Sequence, residues 1–363
     1  MKKIVFVTPQ FKTGGGNRVF IEIANIISND HNVLILYPNN SSEINSFNLN
    51  SQIIIEKVGS LARGKIAKLA NVFRLFWYIN RNYRKDYIII SDPIISLFSF
   101  LLKAENVVRF VQADDVNIYN GGEVIKSKIL LGLFKFFTKK MYRLPFTYIF
   151  NSKFTFDKFK IYSKRNVPEY IVHPAIDSNV FNVKKQPESD LLTICTIGRI
   201  HPIKGFEVFL NGIQKLSIES RKMIKEIIVI SNDDLSRFNL SKDKLIDIVA
   251  PSNDFELSEI YSRSDIFIST SFSEGFGLPP LEAMACGCAV ITSNSGGVVE
   301  YAIDNENCLI FKPGDDTKLS EQITRLILDK KLMLKLQQNG IRTARTSRWA
   351  DAAKKFVDVL SQD

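Results

Sequence analysis

Histidine and cysteine are both scarce in this 363-residue sequence, with three of the former and four of the latter. Cys286-Gly287-Cys288 is too tight for the usual zinc spacing and has no histidine beside it, so no metal centre is expected there. With Cys195 and Cys308, these read as reduced, buried thiols of a cytosolic protein. No Asp-x-Asp occurs anywhere. No apolar run approaches the ~20 residues of a membrane-spanning helix, because Asp92-Pro93 interrupts the longest candidate, around Tyr87 to Leu102. Met1-Lys2-Lys3 leads into a short strand-like run, which is not the pattern of a secretory leader. Helix-turn-helix and zinc-finger signatures are missing too, and nucleic acid is not an expected partner.

What remains is the composition of a soluble globular protein, 45% hydrophobic and 24% charged, long enough for two ordinary domains. Its net charge of +10 is unevenly placed. Residues 1–172 hold 25 Lys+Arg against 12 Asp+Glu, an excess of +13, whereas the remainder is at −3. Two stretches contain no acid at all. Leu61 to Lys85 sets Arg63, Lys65, Lys68, Arg74, Arg81, Arg84 and Lys85 among Leu69, Phe73, Phe76 and Trp77. Lys126 to Arg143 does the same around Leu130, Leu133, Phe134, Phe136 and Phe137. Basic helices with bulky apolar faces suit an anionic membrane surface. The competing reading is two helices whose apolar faces pack on a sheet while their lysines are solvated.

Strand and helix patterns alternate along the chain. Lys3–Thr8, Asn32–Tyr37, Tyr87–Ser91, Val107–Gln112 and Tyr148–Asn151 read as strands, and Arg18–Ser28 as a helix. Asn39 to Ser51 reads as a loop. The alternation restarts with Leu191–Ile197 and continues through Glu226–Ser231, Asp247–Ala250, Asp265–Thr270 and Ala289–Thr292. This predicts an α/β protein of two doubly wound, Rossmann-like domains. The polar, proline-bearing run 184–190 reads as the linker between domains at 1–183 and 190–347. Ligands of such sheets sit beyond the strands' C-terminal ends, so two facing domains would define one deep cleft.

Two loops carry chemistry. Ser273-Glu274-Gly275-Phe276-Gly277-Leu278-Pro279-Pro280-Leu281-Glu282 reads as a glycine-rich loop from a strand into a helix, with one carboxylate in the loop and one in the first turns. Helix N-termini expose unpaired N–H groups, and a fixed carboxylate beside them grips hydroxyls. The plainer reading is an ordinary helix start. Gly198-Arg199-Ile200-His201-Pro202-Ile203-Lys204-Gly205 places an Arg and a Lys just beyond a strand, which suits a pyrophosphate.

Together these motifs resemble the retaining family-4 glycosyltransferases (glycosyl transferases group 1), enzymes of GT-B fold. Gly14-Gly15-Gly16 resembles the family's glycine loop, and Pro174-Ala175-Ile176-Asp177 with Phe181 its interdomain signature. Ser295-Gly296-Gly297 with Glu300 resembles the segment after the carboxylate pair, and Trp349 the aromatic that opens a last helix returning to the first domain, here about 348–363. The resemblance implies transfer of a sugar, with retention, from a UDP-, GDP- or dTDP-type donor to a glycan acceptor. A lipid-linked acceptor would explain the basic-apolar stretches and a peripheral place on the cytoplasmic membrane face, in bacterial cell-surface polysaccharide synthesis. Arg199 and Lys204 would neutralise the leaving diphosphate, so neither metal nor other cofactor is expected. Glu274 would hold sugar hydroxyls with the N–H groups of Gly275, Phe276, Gly277 and Leu278, Glu282 would take the ribose, and Gly15 and Gly16 would also meet the donor.

Two departures stand out. Relatives place a histidine where this chain has Val111-Gln112-Ala113-Asp114-Asp115, which leaves Asp114 or Asp115 as the candidate base. Relatives also follow the Ile227–Ile230 strand with glycine, whereas this chain has Ser231-Asn232-Asp233-Asp234. A nicotinamide-dependent oxidoreductase is disfavoured, because Thr13-Gly14-Gly15-Gly16-Asn17-Arg18 is not G-x-G-x-x-G and no acid ends the second strand. A sugar-nucleotide epimerase of the same fold and a catalytically silent binding subunit remain as alternatives.

Overall fold

A computed structural model describes residues 2–12, 15–41, 43–44, 48–121, 125–184 and 189–362, with the backbone alone at 11–12 and 43–44. The chain divides into two compact units, Met1–Ala175 with Trp349–Asp363, and Ile176–Arg348.

The first unit is built on a seven-stranded sheet, all of its pairs parallel. Its spatial order is Ile54–Val58, Val33–Pro38, Ile4–Val7, Tyr87–Ile90, Asn106–Val111, Thr147–Phe150, Tyr170–Ile171. Ile4–Val7 and Val33–Pro38 are buried along their whole length, as strands covered on both faces must be. Order reverses at Ile4–Val7, whose neighbours are Val33–Pro38 on one side and Tyr87–Ile90 on the other. Ligands of doubly wound sheets gather at such a switch point.

The C-terminal helix Trp349–Leu360 belongs to this unit for a stated reason. Trp349, Ala352, Ala353, Phe356, Val359 and Leu360 form one buried stripe at helical spacing. Phe356 completes a ring cluster, 5.8 Å from Phe6 and 6.1 Å from Phe110, with Phe20 a further 5.2 Å from Phe6. Tyr87 Oη donates to the Leu360 carbonyl at 2.7 Å.

The second unit has six parallel strands in the order Ile246–Val249, Ile224–Ile230, Leu192–Ile197, Ile266–Ser269, Ala289–Ser293, Leu309–Phe311. Helices Phe206–Gln214, Asp316–Leu328 and Lys330–Arg345 put Phe209, Leu319, Ile323 and Leu336 into one core with Ile194, Ile227 and Ile291. The division between units falls at Ala175/Ile176 rather than in the 184–190 run, of which 185–188 lie outside the described residues. The physical reason is local packing. Ser258 Oγ donates to Val180 O at 2.6 Å, Ser262 Oγ donates to Asn182 O at 3.2 Å, and Phe181 lies 6.3 Å from the Tyr261 ring. Polarity marks a segment as surface; it does not mark where contacts stop.

Both basic stretches are helical, Lys65–Asn82 and Lys128–Met141, but they carry more apolar surface than the sheet covers. Leu75, Phe76 and Ile79 are buried, while Ile66, Leu69, Phe73 and Trp77 form a second, outward stripe, 86% exposed at Ile66 and 61% at Trp77. In the other helix Phe134 and Thr138 are buried, and Ile129, Leu130, Leu133, Phe136 and Phe137 are exposed. Packing on the sheet therefore accounts for only part of either helix. No helix among the described residues is long and apolar enough to cross a membrane.

Phe356→Ala should destabilise the first unit by about 3–5 kcal/mol, the usual cost of emptying an aromatic site. Urea titration of the full chain reads this as a lowered midpoint. A loss below about 1 kcal/mol would detach the last helix from the core.

Candidate active site

The Leu192–Ile197 strand ends at Gly198, where an added Cβ would fall 2.6 Å from Val229 Cγ1 and 2.9 Å from Leu235 Cδ1. The chain can leave the sheet there only as glycine. Arg199 follows, 47% exposed in its side chain, with Nε 3.4 Å from Asp233 Oδ2. The Pro202–Lys204 turn is capped by His201, whose Nδ1 accepts from Ile203 N at 3.3 Å.

Gly205 brings this loop to the next one. Its φ is +63°, and an added Cβ would fall 2.1 Å from the Thr270 carbonyl oxygen. Phe272 N donates to Ile203 O at 2.7 Å, and Thr270 Oγ1 donates to Lys204 O at 3.3 Å. The stitching puts Lys204 Nζ 2.7 Å from Glu274 Oε1, an oxygen that also accepts from Ser271 Oγ at 2.6 Å.

Glu274 is held from below by the Ser295–Gly297 segment. Glu274 N donates to Ser295 O at 2.6 Å, and Gly297 N donates to Glu274 O at 2.9 Å. A Cβ on Gly297 would stand 1.9 Å from Gly275 O, so the carboxylate loop lies directly on that glycine. Gly277 has φ +87°, and its carbonyl accepts from Tyr301 Oη, whose ring lies 5.3 Å from Phe276. Leu278–Ala285 then runs as a buried helix with proline in its first turn. Glu282 is on it and is only 4% exposed. Glu274, Lys204 and the 275–278 loop are thus one assembly beyond the strand ends, with Arg199 on the loop that precedes Lys204.

The candidates of the first unit divide. Gly15 and Gly16 open the helix Gly15–Ile27, and Gln112 Nε2 donates to Gly16 O at 3.1 Å and to Ser91 Oγ at 2.8 Å. Gly14 lies outside the described residues. Asp115 is corrected: it is 2% exposed and ion-paired with buried Arg109. Burial pushes its carboxyl above the usual range while Arg109 opposes the shift. A carboxylate committed inside the core does not reach an acceptor hydroxyl. Asp114 is different, half-buried, with Oδ2 accepting from Asn117 Nδ2 at 2.9 Å and Oδ1 without a hydrogen-bond partner. All four cysteines are buried, and burial pushes the Cys286 thiol up to about 11 and that of Cys308 to about 12. No cluster of metal-ligating side chains occurs among the described residues. Sequence reasoning missed Ser271 and Tyr301. Only a hydroxyl three residues before Glu274 hinted at the first.

Residues 178–343 match the family model described as glycosyl transferases group 1. The match takes in nearly all of the second unit. Over 212 residues the chain is 22% identical to a D-inositol 3-phosphate glycosyltransferase of Streptosporangium roseum, covering 53% of this chain and 49% of that protein. The chain spans about half the length of the curated relatives it matches. Solved structures align over the whole chain. Sucrose-phosphate synthase from Thermosynechococcus elongatus has a TM-score of 0.84 at 15% identity, covering 100% of this chain and 99% of that one. Anabaena HepE in complex with UDP-glucose has 0.76 at 16%, covering 100% of both. WaaG, a glycosyltransferase involved in lipopolysaccharide biosynthesis, has 0.77 at 15%, covering 98% and 99%. The expected GT-B fold is therefore the fold of this chain.

Gly297→Ala should destabilise the second unit by about 1–3 kcal/mol through overpacking. It should also speed amide exchange at Glu274 and Gly297. Unchanged exchange at both would mean that the glycine does not hold the loop.

Proposed function

We propose that the chain is a retaining, metal-independent glycosyltransferase that moves a sugar from a nucleotide-sugar donor to a glycan acceptor. The observation that carries this is the Lys204–Glu274 contact, shared with Ser271, on loops beyond the strand ends of a group 1 unit. As the donor's glycosidic bond breaks, negative charge grows on the leaving diphosphate and positive charge on the sugar ring. Pre-placed cations are worth most where charge develops, so Arg199 and Lys204 face the diphosphate and supply what a metal would otherwise supply. Glu274 holds sugar hydroxyls beside the 275–278 amides and stabilises the ring's growing charge. Glu282 accepts from the ribose hydroxyls. The acceptor hydroxyl attacks the face the diphosphate leaves, which gives retention, and its proton passes to the departing phosphate oxygen. Asp114 remains the candidate base of the first unit, its Oδ1 buried and without a hydrogen-bond partner. The donor is of UDP, GDP or dTDP type, and the UDP-glucose complex of HepE supports the first.

Glu274→Ala should lower turnover by about 100- to 1,000-fold while donor affinity changes by less than about threefold. Rapid-quench turnover and calorimetric Kd values check this. Equal losses in both would reduce Glu274 to a binding residue and sink the mechanism.

For the acceptor, we propose a lipid-linked glycan at the cytoplasmic membrane face, within bacterial cell-surface polysaccharide synthesis. The outward apolar stripe Ile66, Leu69, Phe73 and Trp77 is flanked by Lys65, Lys68, Arg81 and Arg84, all exposed. Apolar side chains enter the headgroup region while each cation adds about 1 kcal/mol near an anionic surface, less at high salt. The involvement of WaaG in lipopolysaccharide biosynthesis supports this class of pathway. The protein should co-sediment with anionic liposomes at low salt and release at high salt. Replacing Lys65, Lys68, Arg81 and Arg84 with Gln should weaken sedimentation and leave nucleotide affinity unchanged. If the wild-type protein ignores anionic liposomes at low salt, the membrane reading fails and a soluble acceptor replaces it.

A further inference from the structure

The segment after the Ile224–Ile230 strand, where relatives carry glycine and this chain reads Ser231-Asn232-Asp233-Asp234, is clamped onto the Arg199 loop. Asp233 Oδ2 accepts from Ile200 N at 3.0 Å and lies 3.4 Å from Arg199 Nε. Arg237 Nη2 donates to Ile200 O at 2.8 Å. The N–H and the carbonyl of Ile200 are thus both held by residues 233–237. That segment is itself fixed. Asp233 N donates to Ser231 Oγ at 3.0 Å, Ser236 N donates to Asp234 Oδ1 at 3.0 Å, and Leu235 is buried against Gly198.

A guanidinium offers five donors along two edges. A carboxylate on Nε occupies one side and leaves the Nη1–Nη2 edge for bidentate capture of a phosphate. At 3.4 Å the Asp233 contact is longer than the about 2.7–2.9 Å of a full charge-assisted bond, so it orients Arg199 without competing with a bidentate phosphate.

We infer that Asp233 is a positioning residue that aims Arg199 at the donor's terminal phosphate and so sets the preference for nucleoside diphosphate over monophosphate. The inference rests on the diphosphate reading of Arg199 given above. Without Asp233 the half-exposed arginine samples many rotamers, and that ordering cost falls on ligand binding.

Calorimetry with UDP, GDP and dTDP selects the tightest diphosphate; its Kd and that of the matching monophosphate are then measured on wild type, Arg199→Ala, Asp233→Ala and Asp233→Asn. Arg199→Ala should lose the diphosphate preference. Asp233→Ala should weaken diphosphate binding by about 5- to 10-fold with monophosphate binding within about twofold. Asp233→Asn keeps an acceptor for Ile200 N–H and a polar neighbour beside Arg199, and should restore most of the preference, with a melting temperature near wild type. If Arg199→Ala keeps the preference, the diphosphate reading itself fails. If Arg199→Ala loses it and Asp233→Ala binds both nucleotides as wild type does, the positioning role is overturned. It is equally overturned if Asp233→Ala binds diphosphate more tightly, or if it weakens both nucleotides alike.

Discussion

Backbone lying directly on backbone is the constraint that the second unit's site depends on. Gly275 O rests on the Cα of Gly297, and Thr270 O rests on Gly205, at distances where any Cβ would stand about 2 Å from an oxygen. These two approaches fix the heights of the carboxylate loop and the phosphate loop. Everything polar in the site follows from that spacing: Lys204 meets Glu274 because Gly205 brings its loop down to Thr270 and Phe272. Neither glycine serves flexibility. Both serve proximity, and one of them also supplies a positive φ.

The charges in the site are arranged for placement rather than for stability. The Lys204 and Glu274 side chains are 36% and 17% exposed, a partly solvated pair of the kind worth roughly 0–1 kcal/mol. A fold held at such weak contacts would gain little from them. What the contact does is fix where both side chains stand, with Ser271 Oγ donating to the same Glu274 oxygen. The Arg109–Asp115 pair is the opposite case. Both partners are buried, so removing either would leave a lone charge in the core at a cost of about 3–5 kcal/mol. One adjacent pair of acids, Asp114-Asp115, thus splits into a half-buried residue with one unpartnered oxygen and a structural anchor.

That split explains what could and could not be read from the chain. Strand and helix order was legible because the central strands, such as Ile4–Val7, Tyr87–Ile90 and Ile266–Ser269, are short and mostly apolar, and several strand-to-helix turns carry glycine or proline. The strand-to-loop position of the Glu274 and Lys204 segments was legible because glycines bound both loops, and the structure brings those two side chains together. Asp115 was not, because its partner Arg109 comes from the preceding strand and nothing local announces the pairing. The edge strand Ile54–Val58 was missed for a related reason. Its burial does not alternate, and it is tied down through Glu56, which accepts hydrogen bonds from Tyr78 and Tyr83 on another element. The domain boundary was misplaced because Val180 and Asn182 are held through backbone carbonyls, which leave no trace in side-chain composition.

The same distinction bears on the two basic helices. An apolar face is ordinarily explained by the core it packs against, and Leu75, Phe76 and Ile79 satisfy that explanation on Lys65–Asn82. Ile66, Leu69, Phe73 and Trp77 repeat at three- and four-residue spacing on the other side and do not. Scattered surface apolar residues need no account, but a regular exposed stripe does. A chain under selection for solubility alone would gain by placing lysine or glutamate along it. Cations flank the stripe and no acid occurs from Leu61 to Lys85, so this face of the helix joins apolar surface to positive charge.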